Sequence, residues 1–231
     1  MDYSKLEKSL SKPRLNRYLT TCKYSKKTAS KLYILNLQLS QSFYPLLNLF
    51  ETIIRNSIHE ELKNYFQDHD WMRNQKSRFM ASNSLRFTNF YLKTCVEAAE
   101  KKIIKNGRGV TTSRVISEQT FGFWTSLFDN HHYKLIGGCI IKVFPNKPKH
   151  INRVEIAKEL AIIRDFRNRV YHNEPICFNL NKVDLSNVRL VKSKILMLIE
   201  WIDPDLISVF NKFSDLDIHI EKCEHIRKSI G

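Results

Sequence analysis

The sequence predicts an all-α fold. Apolar residues recur at steps of three and four through most of the 231-residue chain, while the alternation of a half-buried strand is scarce. Only 6 Gly and 6 Pro are present, too few for a turn-rich β fold. At 42% hydrophobic residues the chain can bury a proper core.

The elements follow in order. Residues 1–25 are read as a basic N-terminal helical arm, and residues 26–231 as a single all-α domain. A helix is expected over 26–44, with Leu32, Leu35, Leu39 and Phe43 on one side. Pro45 should kink or restart it. The continuation runs to about Gln67 with Leu46, Phe50, Ile53, Ile54, Ile58 and Leu62 apolar, and Asp68-His69-Asp70 breaks it. Another helix is expected over 84–105, stopped at Asn106-Gly107. Short helical pieces should cover 113–129 and 131–143, and Pro145 and Pro148 mark a loop. A helix over 152–172 cannot continue past Pro175. Helices over 183–202 and roughly 216–229 complete the chain. No internal repeat or low-complexity linker interrupts it.

The net charge of +15 is a large cationic excess, with nucleic acid as the leading partner and an acidic membrane surface as the second. The excess is concentrated at the start, where nine Lys/Arg stand against Asp2 and Glu7 in residues 1–36. No stretch approaches the ~20 apolar residues of a membrane span, and no signal peptide is read. The five cysteines have no metal-knuckle or redox spacing and are read as reduced thiols of a cytoplasmic protein. No metal or cofactor motif is found. The tandem pair His131-His132 should point about 100° apart on a helix, a poor chelate. Phe121, Trp124 and Phe128 fall at helical spacing and are read as core, as are Trp71 and Trp201.

The chemistry-bearing stretch is Arg167-Asn168-Arg169-Val170-Tyr171-His172, followed by Asn173-Glu174-Pro175-Ile176. Arginine holds a phosphate through two parallel hydrogen bonds. Histidine takes and gives protons near neutral pH. Asparagine orients either without adding charge. Such a set can cut RNA without a metal. On the helix, Ile156, Leu160, Ile163, Arg167 and Val170 form one stripe, four apolar residues and a guanidinium. Arg167 is therefore either an ion-pair partner in a core or a site residue. Arg164, Asn168 and His172 share a neighbouring face at i, i+4 and i+8. Arg167 and His172 point roughly 140° apart on an ideal helix. They meet on one phosphate only if the helix frays near His172 or if two subunits build the site. The plainer reading of His172 is a charge closing the helix C-terminus.

A second Arg-Asn lies in Glu51-Thr52-Ile53-Ile54-Arg55-Asn56-Ser57-Ile58-His59. Glu51, Arg55 and His59 are spaced by four on one face. This stretch is read first as a structural brace, with direct RNA contact by Arg55 and Asn56 as the other possibility.

Several segments together resemble the Abi-like (abortive infection) proteins of bacteria, within the HEPN superfamily of helical ribonucleases. They are the runs at 39–47 (LSQSFYPLL), 50–56 (FETIIRN), 121–128 (FGFWTSLF), 167–176 (RNRVYHNEPI) and 198–204 (LIEWIDP). The resemblance spans about residues 30–220. It implies a HEPN-like helical bundle and a metal-independent endoribonuclease that needs no cofactor, with Arg167, Asn168 and His172 matching the RNxxxH motif. It also implies a homodimer with the motifs facing across the interface. Its setting would be phage defence by abortive infection or a toxin–antitoxin pair, with a small RNA or a protein as antitoxin. Asn173 stands where relatives often carry a second histidine, a departure that leaves the three motif residues intact.

The mechanism this implies has His172 take the 2′-OH proton or protonate the departing 5′-oxygen, Arg167 neutralise phosphoryl charge, and Asn168 hold the ring or the phosphate. Products would be a 2′,3′-cyclic phosphate and a 5′-hydroxyl. Lys142, Lys147, Lys149 and Arg153, before the motif helix, are the expected phosphate contacts, with Arg164 beside them. The alternative is a non-cleaving RNA-binding protein that sequesters RNA with the same basic surface. A third reading is a dimerisation scaffold.

Overall fold

The computed structural model describes residues 3–212 and 215–230. It is all-α, with a single two-stranded sheet among the described residues. The helices are α1 (Tyr3–Leu10), α2 (Lys12–Thr21), α3 (Lys26–Phe66), α4 (Trp71–Asn74), α5 (Tyr91–Lys105), α6 (Thr112–Glu118), α7 (Phe121–Ser126), α8 (Asn130–Leu135), α9 (Arg153–Tyr171), α10 (Ser186–Ile202), α11 (Ile207–Phe210) and α12 (Asp215–Ile230). The strands β1 (Phe178–Asn179) and β2 (Lys182–Val183) pair antiparallel. The chain forms two compact units. One holds residues 1–49, 165–200 and 204–231, the other residues 50–164 and 201–203.

The first unit contains the end of α9. Along α3 its buried seam is Leu32, Leu35, Leu39, Phe43 and Leu46, the spacing of one helix face. Phe43 packs on Phe166 of α9, ring centres 4.8 Å apart. The basic N-terminal segment is folded: Leu15, Tyr18 and Cys22 are buried. The Tyr18 ring meets Tyr33 edge-on at 5.2 Å and Phe178 at 5.0 Å. Arg17 lies 4.7 Å over the Phe178 ring and donates to the Leu180 carbonyl, and Thr21 Oγ1 donates to the Asn181 carbonyl at 3.2 Å. These contacts of α2 hold the β1–β2 hairpin.

The second unit has Phe50, Ile54, Ile58 and Leu62 of α3 buried at steps of four. Trp71, Phe121, Phe123, Trp124 and Phe128 are buried too, as expected for core. Trp201 is also buried.

Several boundaries differ from those expected. Helix α3 does not restart at Pro45 but runs unbroken through it. Proline costs that helix one hydrogen bond and a steric adjustment. Buried side chains on both sides of it, Phe43 before and Leu46 and Leu47 after, favour a continuous seam over a break. The helix expected over 84–105 is divided. A 3₁₀ stretch ends at Thr88, Asn89 and Phe90 take φ of 51° each, and α5 starts at Tyr91. The stretch 113–129 is interrupted at Gln119 and Thr120, both extended. The stretch 131–143 stops at Leu135, because Gly137 and Gly138 take φ of 60° and 70°. The positive φ at Gly137 favours glycine, and a side chain there would also push the Tyr65 hydroxyl, 2.7 Å away, aside. The hairpin at 178–183 was not expected, and α10 begins at Ser186 rather than 183.

Candidate active site

Helix α9 ends in a Schellman motif. Asn173 takes the left-handed conformation at φ 54°. The Glu174 amide donates to the Arg169 carbonyl at 2.9 Å, and the Asn173 amide to Val170 at 3.1 Å. Asparagine tolerates this conformation better than most side chains, which gives Asn173 a backbone role. The His172 amide still bonds the Asn168 carbonyl at 2.9 Å, so the helix does not fray before the histidine. His172 is the C-cap residue and is exposed.

Arg167 sits half-buried in its otherwise buried stripe. Its guanidinium lies 3.9 Å from the centre of the Tyr171 ring, one turn on, and its Nη1 donates to Asn168 Oδ1 at 3.4 Å. An aromatic face accepts the flat cation without the cost of an isolated buried charge. Tyr171 in turn stacks on Tyr44 of α3 at 4.7 Å and 20°. The Asn168 amide is thus turned to Arg167. The arrangement presents an oriented guanidinium and, five residues later, an exposed imidazole on a closed helix end.

The segment after the motif is anchored as well. Asn36 of α3 is buried, and its Oδ1 accepts the amides of Ile176 at 2.9 Å and Cys177 at 3.2 Å. Arg169 donates to the Pro175 carbonyl and lies 3.7 Å from Glu174. Asn36, Tyr44 and Tyr171 were not singled out from the sequence. The one available signal was Asn36, a polar residue inside an apolar helical run.

The same unit carries a groove of about 680 Å³ lined by Tyr3, Ser30, Leu35 and the exposed Lys26, Lys27 and Lys31. Lysine heads on such a groove suit a polyanion.

In the other unit, Arg55 repeats the local contact of Arg167: its Nε donates to Asn56 Oδ1 at 3.3 Å. His59 does not parallel His172. The Trp71 indole donates to His59 Nδ1 at 3.0 Å, and burial holds the imidazole below its ordinary pKa despite Glu60 beside it. His59 is therefore a neutral acceptor that fixes α4 to α3. Arg164 donates to Thr125 Oγ1 at 3.2 Å. Arg153 donates to the Phe128 carbonyl at 2.8 Å and lies 5.9 Å over the Tyr133 ring. Both arginines thus bind the protein itself. Lys142 is exposed, 3.9 Å from Glu61, Lys149 is exposed and Lys147 half-buried.

The five cysteines form no disulfide, and burial pushes the Cys22, Cys139 and Cys223 thiols up to about 11. Among the described residues no helix is long and apolar enough to cross a membrane. The chain matches no protein-family model, no curated protein and no solved structure.

Proposed function

We propose that this chain is a metal-independent endoribonuclease acting in the cytoplasm as a homodimer. Its setting is phage defence by abortive infection or a toxin–antitoxin pair, under control of an antitoxin such as a small RNA. The observation that carries the reading is the end of α9. There Asn168 and Tyr171 orient the Arg167 guanidinium, and His172 is exposed on a closed C-cap. The +15 charge supports RNA as the substrate.

In this mechanism His172 takes the proton of the 2′-OH, whose oxygen attacks the adjacent phosphorus. The bond to the 5′-oxygen breaks, and that oxygen receives a proton from a second histidine or from water. Arg167 stabilises the charge that develops on the phosphoryl oxygens. Asn168 positions Arg167. The products are a 2′,3′-cyclic phosphate and a 5′-hydroxyl. Arg167 and His172 diverge by roughly 140° around an unfrayed helix, so the reading assigns the working pair to two chains, one giving arginine and the other histidine.

A second reading, RNA binding without cleavage, is favoured by the Tyr44–Tyr171 stack beside Arg167, a surface on which bases can stack without chemistry. One experiment separates the two. Labelled single-stranded RNA and DNA of the same sequence are incubated with the protein in EDTA. The nuclease reading expects RNA cut to cyclic-phosphate ends and DNA bound but intact, because DNA lacks the 2′-OH nucleophile. Both nucleic acids bound tightly, with a steep loss on adding salt, and neither cut, would replace it with the binding reading.

A further inference from the structure

His132 is almost fully buried, and its two ring nitrogens differ. Nδ1 lies 2.8 Å from the Ser126 carbonyl oxygen. A carbonyl only accepts, so Nδ1 carries the proton and Nε2 keeps its lone pair. That Nε2 is buried and has no hydrogen-bond partner. An orphaned buried acceptor is costly unless something completes it. Asp129 and His131 supply the surroundings. One ligating atom from each of Asp129, His131 and His132 lies within 4.8 Å of the others. Asp129 holds the N-cap position of α8, yet its carboxylate makes no capping bond. The ring centres of His131 and His132 are 4.1 Å apart. The divergence expected of adjacent helical side chains does not keep these two rings apart.

We infer that Asp129, His131 and His132 form a binding site for one zinc ion, with the fourth position left to water. Two imidazoles and a carboxylate are a borderline donor set that suits Zn²⁺, whereas Mg²⁺ prefers oxygen throughout. A histidine whose other nitrogen donates to a backbone carbonyl is the usual oriented ligand. Tetrahedral Zn²⁺ with bonds of about 2.0–2.1 Å needs ligating atoms roughly 3.3 Å apart. Binding therefore requires Asp129 and His131 to move their ligating atoms inward from separations of up to 4.8 Å. Asp129 is the N-cap of α8 and both histidines lie in its first turn, so the ion would staple the start of that helix in the second unit. It takes no part in the proposed chemistry of His172.

The test is titration of untagged, full-length protein with Zn²⁺ against a chromophoric chelator, with Mg²⁺ as control. Parent, His131→Ala and Asp129→Asn proteins are compared, each first checked for native helicity. The expected result is one Zn²⁺ per chain, insensitive to Mg²⁺, with affinity lowered roughly tenfold or more in both variants. A higher melting temperature with Zn²⁺ is expected in the parent and not in His131→Ala. Absence of Zn²⁺ binding by the parent overturns the inference. So does binding unchanged in both variants, which would place the ion on other histidines or on cysteines.

Discussion

Asn36 shows how much one buried amide can organise. Its Oδ1 takes both the Ile176 and the Cys177 amides, the first backbone groups after the motif and its proline. An Asn36→Ala protein leaves two buried donors without an acceptor, each costing about 1–3 kcal/mol. Its melting temperature should fall by roughly 4–24 °C, from about 2–6 kcal/mol in total at 2–4 °C per kcal/mol in a chain of this size. Calorimetry checks this, and an unchanged melting temperature would mean that water replaces Asn36. The same scale explains what could be read beforehand. Arg167, Asn168 and His172 stand out because their residue types carry chemistry. Tyr44 does not, since its role depends on stacking with Tyr171, 127 positions along the chain. Nor could the sequence say that Asn168 turns to Arg167 rather than to the histidine.

At the scale of elements, α9 was legible to within a residue at each end, because Pro175 and the left-handed Asn173 fix its stop. The break before α5 was not, since nothing about Phe90 announces a left-handed conformation. The β1–β2 hairpin was missed because strands of two residues have no periodicity to detect. The contact that fixes α4 to α3 carries a pH prediction. His59 accepts from the Trp71 indole only when Nδ1 is unprotonated, and burial lowers its pKa, with Lys63 and His69 acting in the same direction and Glu60 against. The unfolded chain therefore binds the proton more readily than the folded one. This stabilisation is complete above the unfolded value of about 6.5 and is lost as pH falls from there down through the lower folded value. Thermal unfolding from pH 8 to pH 5 should show the decline, and His59→Gln should flatten it. A slope identical in both proteins would remove His59 as its source.

For the whole molecule, the question is whether one chain or two make the site. Helix α9 stays closed through His172, which keeps Arg167 and His172 of a chain on divergent faces. If one chain gives arginine and its partner histidine, inactive Arg167→Ala and His172→Ala proteins should complement each other when mixed and allowed to exchange subunits. Each mixed dimer would then hold one intact pair. Cleavage should return to a sizeable fraction of the parental rate. No recovery despite demonstrated exchange would assign both residues to a site within one chain.

In the proposed reaction His172 moves the proton during RNA cleavage. Its direct measurement is the single-turnover rate on a single-stranded RNA in EDTA for the parent and His172→Ala proteins, with RNA affinity measured beside it. The expected rate is lower by roughly 10² or more in the variant, at nearly unchanged affinity. Equal cleavage by both proteins, or cleavage by neither with equal binding, would contradict it.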